Sequence, residues 1–281
     1  MSISTDWYYG ALATSIRKIN ASKHVNRPAA LARHIGWQAR KLLGLFPVTL
    51  NLSKSKITDD RPDGVIALVN ALGIYDFNDM SLLADCTRGG GTFLDIGSNI
   101  GSYTLLVSEN PKVRVLSFEP NPAAFRKLKF NVDQNSRTNV ELHNIGLSEI
   151  DGTLSMTNDG SSSTNRIVSN GSILVPVQRL EPILESIKGP VVAKIDVEGH
   201  EIHVLKGAGS NLKRIGLIVL EEWSGREDLL ANFLRDHGFQ GPFYADAMTH
   251  RLLASKPNYS EDEVYISDES ILRAAGWKLI T

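Results

Sequence analysis

The chain has 281 residues, 30 Lys and Arg against 31 Asp and Glu, and a single cysteine, Cys86. At 42% hydrophobic and 22% charged it has the composition of an ordinary globular protein, which excludes a disordered chain, a collagen-like repeat and a disulfide scaffold. No stretch approaches the ~20 apolar residues of a membrane span, and the first residues lack the basic-then-apolar order of a secretory signal, so a cytoplasmic location is expected.

The near-zero total conceals an asymmetry. Residues 1–56 carry nine basic side chains (Arg17, Lys18, Lys23, Arg27, Arg33, Arg40, Lys41, Lys54 and Lys56) against Asp6 alone. Such a split marks a contact with nucleic acid or an anionic membrane, or a solvated basic extension folded against an acidic body. Within it, Asn26 as N-cap and Pro28 in the first turn predict a helix to about Leu43, with Leu31, Ile35, Gln38 and Leu42 on one face. Phe46–Leu52 alternates like an edge strand; helices are expected from Asp60 to about Leu72 and from about Asn78 to Cys86.

From Thr92 the pattern changes to short apolar strands alternating with helical periods. Strands are predicted at Thr92–Ile96, Val113–Phe118, Val140–Asn144, Val191–Val197 and Leu217–Glu221. Helices fit at Ser102–Glu109, Pro122–Gln134, Arg179–Ile187, His200–Gly207 and Asp228–Asp236. This order predicts βαβ units and an α/β fold: a mostly parallel sheet with helices on both faces. Phe239–Ala245, Arg251–Ala254 and Glu263–Ser267 read as closing strands with antiparallel pairing. Strands at Thr153–Thr157 and Ser172–Gln178 flank a long polar connection, Asn158–Gly171, which is a functional lid or a disordered loop.

The strongest local signal is Thr92-Phe93-Leu94-Asp95-Ile96-Gly97-Ser98-Asn99-Ile100-Gly101-Ser102. An apolar strand ends, a turn with two glycines follows, and a helix begins, so backbone can approach a ligand closely and free N–H groups face it. Asp95 suits a cationic ammonium or a network holding the turn. The spacing of Gly97 and Gly101 departs from the dinucleotide fingerprint, and the P-loop lysine is absent, so no pyrophosphate is provided for. Glu119 ends the second strand, where a carboxylate accepts both ribose hydroxyls of a nucleoside. A nucleoside with a short zwitterionic tail fits this set, and S-adenosylmethionine meets that description.

Asp95-Ile96-Gly97-Ser98-Asn99-Ile100-Gly101, Phe118-Glu119-Pro120-Asn121-Pro122 and Lys194-Ile195-Asp196-Val197-Glu198-Gly199-His200-Glu201 occur in order. Together they resemble the FkbM family of S-adenosylmethionine-dependent methyltransferases, from about Leu72 to Trp223. The resemblance implies a Rossmann-like class I methyltransferase sheet, with an N-terminal helical extension over residues 1–71 and a catalytic domain over 72–281. It implies that Asp95, Gly97, Ser98, Asn99 and Gly101 wrap the cofactor's methionine end, and that Glu119 with Pro120 holds the ribose. The family usually has Ala where this chain has Ser98 and His200. Members methylate hydroxyls, largely on sugars, polyketides and other natural products. The stretch Leu72–Asp79, with Tyr75, resembles members linked to glycan modification.

A hydroxyl acceptor is scarcely ionised at neutral pH, so its proton must leave to a positioned base or a metal. Lys194, Asp196 and Glu198 alternate along the fourth strand and are expected to share one face. Asp196 is the first choice for base, then His200, then Glu198; Lys194 pairs with Asp196 or holds an acceptor oxygen. The alternative is that Glu198 and Glu201 cap a helix while Lys194 and Asp196 brace the sheet. Asp196, Glu198, Glu221, Glu222 and His200 could converge on a divalent cation, yet no tight ligand spacing appears and no metal site is assigned. Arg166 in the polar loop, Tyr75, Glu222 and Trp223 are the expected acceptor contacts.

The preferred reading is therefore O-methylation of a sugar, glycolipid or secondary metabolite. Two alternatives stay open: RNA methylation through the basic extension, weakened by the lack of interleaved aromatics, and a non-catalytic cofactor-binding scaffold. The extension could equally make a peripheral membrane contact. Nothing in the sequence indicates an oligomeric state.

Overall fold

The computed structural model describes residues 16, 18–20, 22, 24–61, 64–158, 165–221, 227–257 and 262–280. Residues 16 and 18–20 are helical; helix α1 (Arg27–Leu42), a hairpin of β1 (Val48–Leu52) and β2 (Ser55–Asp59), then α2 (Val65–Leu72) and α3 (Phe77–Cys86) follow. There follow β3 (Gly91–Ile96), α4 (Ser102–Val107), β4 (Val113–Phe118), α5 (Pro122–Gln134) and β5 (Val140–His143). A small sheet comes next, of β6 (Gly146–Ser148), β7 (Gly152–Met156) and β8 (Ile173–Arg179). After α6 (Glu181–Ser186) come β9 (Val191–Ile195), α7 (Glu201–Gly207), β10 (Ile215–Glu221) and α8 (Glu227–Asp236). The last elements are β11 (Gln240–Asp246), β12 (Arg251–Leu253), β13 (Asp262–Ile266), α9 (Glu269–Ala275) and β14 (Lys278–Ile280).

The main sheet has nine strands in the order β14-β12-β11-β13-β10-β9-β3-β4-β5. The five predicted strands pair in parallel, β13 and β11 continue the sheet in antiparallel pairing, and β12 and β14 form a second parallel pair at the far edge. From β3 the chain runs outward to β4 and β5, then returns to the other side of β3 at β9. The crevice at the C-terminal ends of β3 and β9 is thus a topological switch point, where open α/β sheets bind ligands.

Strand periodicity divides the core into two. Phe93, Val115, Val192 and Val219 face one cluster, completed by α2, α3, α4 and α9; Leu94, Leu116, Ala193 and Ile218 face the other, completed by α6, α7 and α8. On the first face the apolar rows turn polar towards the strand ends, at Asp95, Ser117, Lys194 and Glu221. In register, Asp95 stands opposite both Ser117 and Lys194. The polar rows therefore lie where the crevice opens.

Several expectations are corrected. The segment after Asp60 is preceded by a strand, β2, and α2 begins only at Val65, because Asp59 accepts from the N–H groups of Asp60 and Arg61 and pairs with Lys127. β9 ends at Ile195, and Glu198 has a positive φ of 55°, so Lys194, Asp196 and Glu198 do not continue one strand face. In α1 the buried residues are Ala30, His34 and Trp37, and the face of Ile35 and Leu42 turns outward. α9 and β14 have no counterpart in the expectations.

The hairpin also supports the glycine turn. Asn131 of α5 is fully buried; its Oδ1 accepts from the Thr58 N–H at 2.8 Å, and its Nδ2 donates to the Ile100 carbonyl at 2.9 Å. One side chain thus ties β2 to the turn after β3.

Candidate active site

The turn after β3 is built by main-chain bonds. The N–H groups of Gly97 and Ser98 both donate to the Phe118 carbonyl, and the Gly101 N–H donates to the Ser98 carbonyl. Gly97, Asn99 and Gly101 all have positive φ, a conformation glycine adopts without steric cost and asparagine tolerates. Ser98 Oγ donates to the Asp95 carbonyl at 2.7 Å, so the serine in place of the usual alanine bonds within the turn.

Glu119 locks this turn to the next strand. Its two oxygens accept from the Asn99 and Asn121 N–H groups, each at 2.8 Å, and burial still pushes the carboxyl up to about 7. Each oxygen keeps a lone pair. Asp95 lies behind the turn, accepting from Thr104 Oγ1, which in turn meets Ser117 Oγ at 2.6 Å. Burial raises it to about 6. The network reading of Asp95 is the one its contacts match.

A cavity of about 240 Å³ opens over these elements. Gly97, Ser98, Asn99 and Ser102 form one rim, and Glu119 and Pro120 an adjoining one. Val65, Leu68, Phe118, Ile145 and Leu147 supply an apolar wall. Asn99 Oδ1 is buried with no hydrogen-bond partner, a cost normally offset by a ligand or water. An apolar wall, a carboxylate with free lone pairs and an orphaned acceptor at the glycine turn fit a nucleoside carrying a cationic amino-acid tail.

The far end of the cavity is acidic. Asp196, Glu198 and Glu221 line it and bring one carboxylate oxygen each within 4.8 Å of one another, close enough to hold a divalent cation. Burial, then the neighbouring Asp196, pushes the Glu221 carboxyl well above the usual carboxylate range. Burial, then Asp196 and Glu201, push Glu198 up to about 7, while Arg166 pulls it the other way. Glu201, the first residue of α7, accepts from the Gly199 N–H at 2.9 Å, a bond within the turn before the helix and not a cap of it. His200 reaches Ser148 Oγ at 3.0 Å through Nε2 and stacks on His203, with ring centroids 4.4 Å apart.

Lys194 is buried beneath this acidic end. Its ammonium sits 2.8 Å from Asp262 and 3.9 Å from Asp196, and 5.6 Å over the Tyr103 ring. Asp262 belongs to a second carboxylate group with Asp76 and Asp79. Tyr103 Oη donates to Asp76 at 3.2 Å; burial and nearby Asp262 raise Asp76 to about 6, and burial with Asp76 nearby raises Asp79 well above the usual range. Lys18 and Lys194 bring positive charge to that group, both pulling Asp76 back down.

The structure brings Gly97, Ser98, Asn99, Glu119, Pro120, Tyr75, Asp196, Glu198 and His200 to one cavity. Gly101 stands at the start of α4, while Asp95 and Lys194 support the cavity from below. Arg166 is exposed, but its main chain pairs with Thr157, and its neighbours Asn165 and Ile167 line the cavity. Glu222 and Trp223 lie outside the described residues. Asp76, Asp79, Tyr103 and Asp262 were not anticipated. Asp76 and Asp79 flank the Tyr75 segment and carry a local hint; Asp262 joins only through the antiparallel pairing of β13 with β10.

The Methyltransferase FkbM domain matches residues 95–240. The hexuronic acid methyltransferase AglP of Haloferax volcanii is 34% identical over 135 residues, covering 47% of this chain and 55% of that protein. Methyltransferase 1 of Beauveria bassiana is 30% identical over 141 residues, covering 41% and 57%. The chain thus spans about half the length of these curated relatives. Magnesium protoporphyrin IX methyltransferase from Synechocystis PCC 6803, solved with bound SAM, is 12% identical with a TM-score of 0.37, covering 93% of each chain. No described helix is long and apolar enough to cross a membrane. With the domain match running from Asp95 in β3 to the start of β11, the chain belongs to the FkbM methyltransferase family, and its cofactor is S-adenosylmethionine.

Proposed function

We propose that the chain methylates a hydroxyl of a sugar acceptor, free or carried on a lipid or secondary metabolite. The observation that carries this reading is the carboxylate set Asp196, Glu198 and Glu221 on the cavity wall. A hydroxyl acceptor must lose a proton, and this set can take it. A carboxylate acceptor, already ionised at neutral pH, has no proton for this set to take. The hexuronic acid named for the Haloferax relative supports a sugar as the acceptor class.

Bound S-adenosylmethionine supplies an electrophilic methyl group. Glu119 is placed to accept from the ribose hydroxyls, and Asn99 with the turn's rim to hold the amino-acid end. Asp196, beside the Glu221 carboxyl, orients the acceptor hydroxyl, and Glu198 receives its proton. An acid titrating near 7 is well matched to that task, better than an ordinary carboxylate. Asn165 and Ile167, returning from the polar loop, cover the cavity with Tyr75 and help exclude water.

The pH profile tests this assignment. Glu198 must be deprotonated to act, so kcat/KM for the acceptor, at saturating cofactor, should rise as pH passes through about 7 and level off above it. Glu198→Gln should lower the plateau by about 10²-fold or more and erase that rising limb. A variant that keeps the limb and the rate would remove Glu198 as the proton acceptor.

A further inference from the structure

We infer that the outward face of α1 docks the chain on a lipid surface bearing anionic headgroups. The helix carries apolar residues on two sides. Ala30, His34 and Trp37 are buried, whereas Ile35 is 70% exposed, Leu42 87%, Leu43 70% and Leu45, just past the helix, 51%. Ala32, Gly36 and Ala39 are also exposed and continue the outward side at three- and four-residue spacing. Large exposed apolar side chains gathered on one helix face mark an interaction surface.

Charge selects the occupant. α1 itself carries Arg27, Arg33, Arg40 and Lys41 and no Asp or Glu. Arg40 lies at the edge of the leucine patch and donates to the Leu45 carbonyl at 3.0 Å, which sets a guanidinium beside it. A second copy would bring two such cationic surfaces together, and RNA would satisfy the cations but leave the leucines in water. An anionic bilayer takes both: the leucines enter the acyl boundary and the cations meet headgroups. With 16 residues and four basic side chains α1 is too short and too charged to cross a bilayer, so the contact is one of lying on the surface.

The docked face is mechanically close to the cavity. Arg33 donates to the Ala71 carbonyl at 2.6 and 3.1 Å, and Asn70 donates to the Arg33 carbonyl at 3.1 Å, fastening α1 to α2. Val65 and Leu68 of α2 line the cavity. Docking would hold that wall one helix away from the bilayer. The inference stands apart from the acceptor chemistry and survives or fails independently of it.

The full chain should be sedimented with phosphatidylcholine vesicles and with vesicles containing about one third phosphatidylglycerol. Anionic vesicles should bind at least about tenfold more tightly than neutral ones, and raised salt should weaken the binding. The double variant L42E/L43E should lose about tenfold or more of that affinity while keeping its thermal midpoint, since both side chains are exposed. Absence of vesicle binding, or equal binding by the variant, overturns the inference. So does an oligomer that L42E/L43E converts to monomer, which would make the face an interface between copies. RNA binding in place of vesicle binding overturns it as well.

Discussion

Asp196→Asn is expected to lower kcat by about 10²–10⁴-fold while leaving cofactor affinity near that of the wild type. The side chain joins three features: it shares a carboxylate cluster with Glu198 and Glu221, it lies 3.9 Å from the Lys194 ammonium, and it lines the acceptor end of the cavity. Asparagine keeps the size and an acceptor oxygen, so the shape of the site survives. What disappears is the negative charge that orients a hydroxyl for proton loss. The main-chain bond from the Asp196 N–H to the Ile96 carbonyl, 2.9 Å, is untouched, so β9 stays in register with the cofactor turn. Single-turnover rates and calorimetric cofactor binding separate the two effects. Turnover within about threefold of wild type would show that Asp196 does not take part.

Gly97→Ala should damage both the cofactor turn and the acceptor end. A methyl group there would overlap the main-chain oxygen of Asp196, which cannot swing aside as a side-chain tip can, and φ at Gly97 is +88°. The segment after β9 that carries Asp196 and Glu198 would have to move. Destabilisation of several kcal/mol is expected, on the order of 3, with loss of cofactor binding. Gly101 offers a comparison at a similar φ of +93°, because its added carbon would meet the flexible Leu128 Cδ1 at 2.6 Å. Gly101→Ala should therefore cost less. Thermal melts of both variants with cofactor titrations check the order; an unperturbed Gly97→Ala would break the link between the turn and the acceptor carboxylates.

The parallel sheet was readable because each central strand is an apolar run bounded by turn residues and followed by a helical period. Val113–Phe118 and Pro122–Gln134 occur at their expected bounds. The glycine turn and Glu119 were readable for a similar reason, since their spacing is local. What was not readable depends on choices between equivalent patterns. The α1 sequence holds two apolar stripes, and the buried Trp37 and His34 decide which one turns inward. β2 looks like the approach to a helix until Asn131 and Asn135 bind its edge. The partner of Lys194 was uncertain because Asp196 is near in sequence, whereas Asp262, the closer partner in space, lies 68 residues on. The burial that raises Glu198 and Glu221 likewise comes from packing between strands distant in the chain.

The central claim concerns the atom that receives the methyl group, and the product linkage reads it directly. The full chain should be incubated with methyl-labelled S-adenosylmethionine and a panel of neutral sugars, uronic acids and lipid-linked glycans, and the products analysed by mass spectrometry before and after mild alkali. A methyl ether that withstands alkali is the predicted product, formed on a hydroxyl and dependent on Asp196 and Glu198. An alkali-labile methyl ester on a uronic acid, or an absence of methyl transfer to every hydroxylated acceptor, would contradict it.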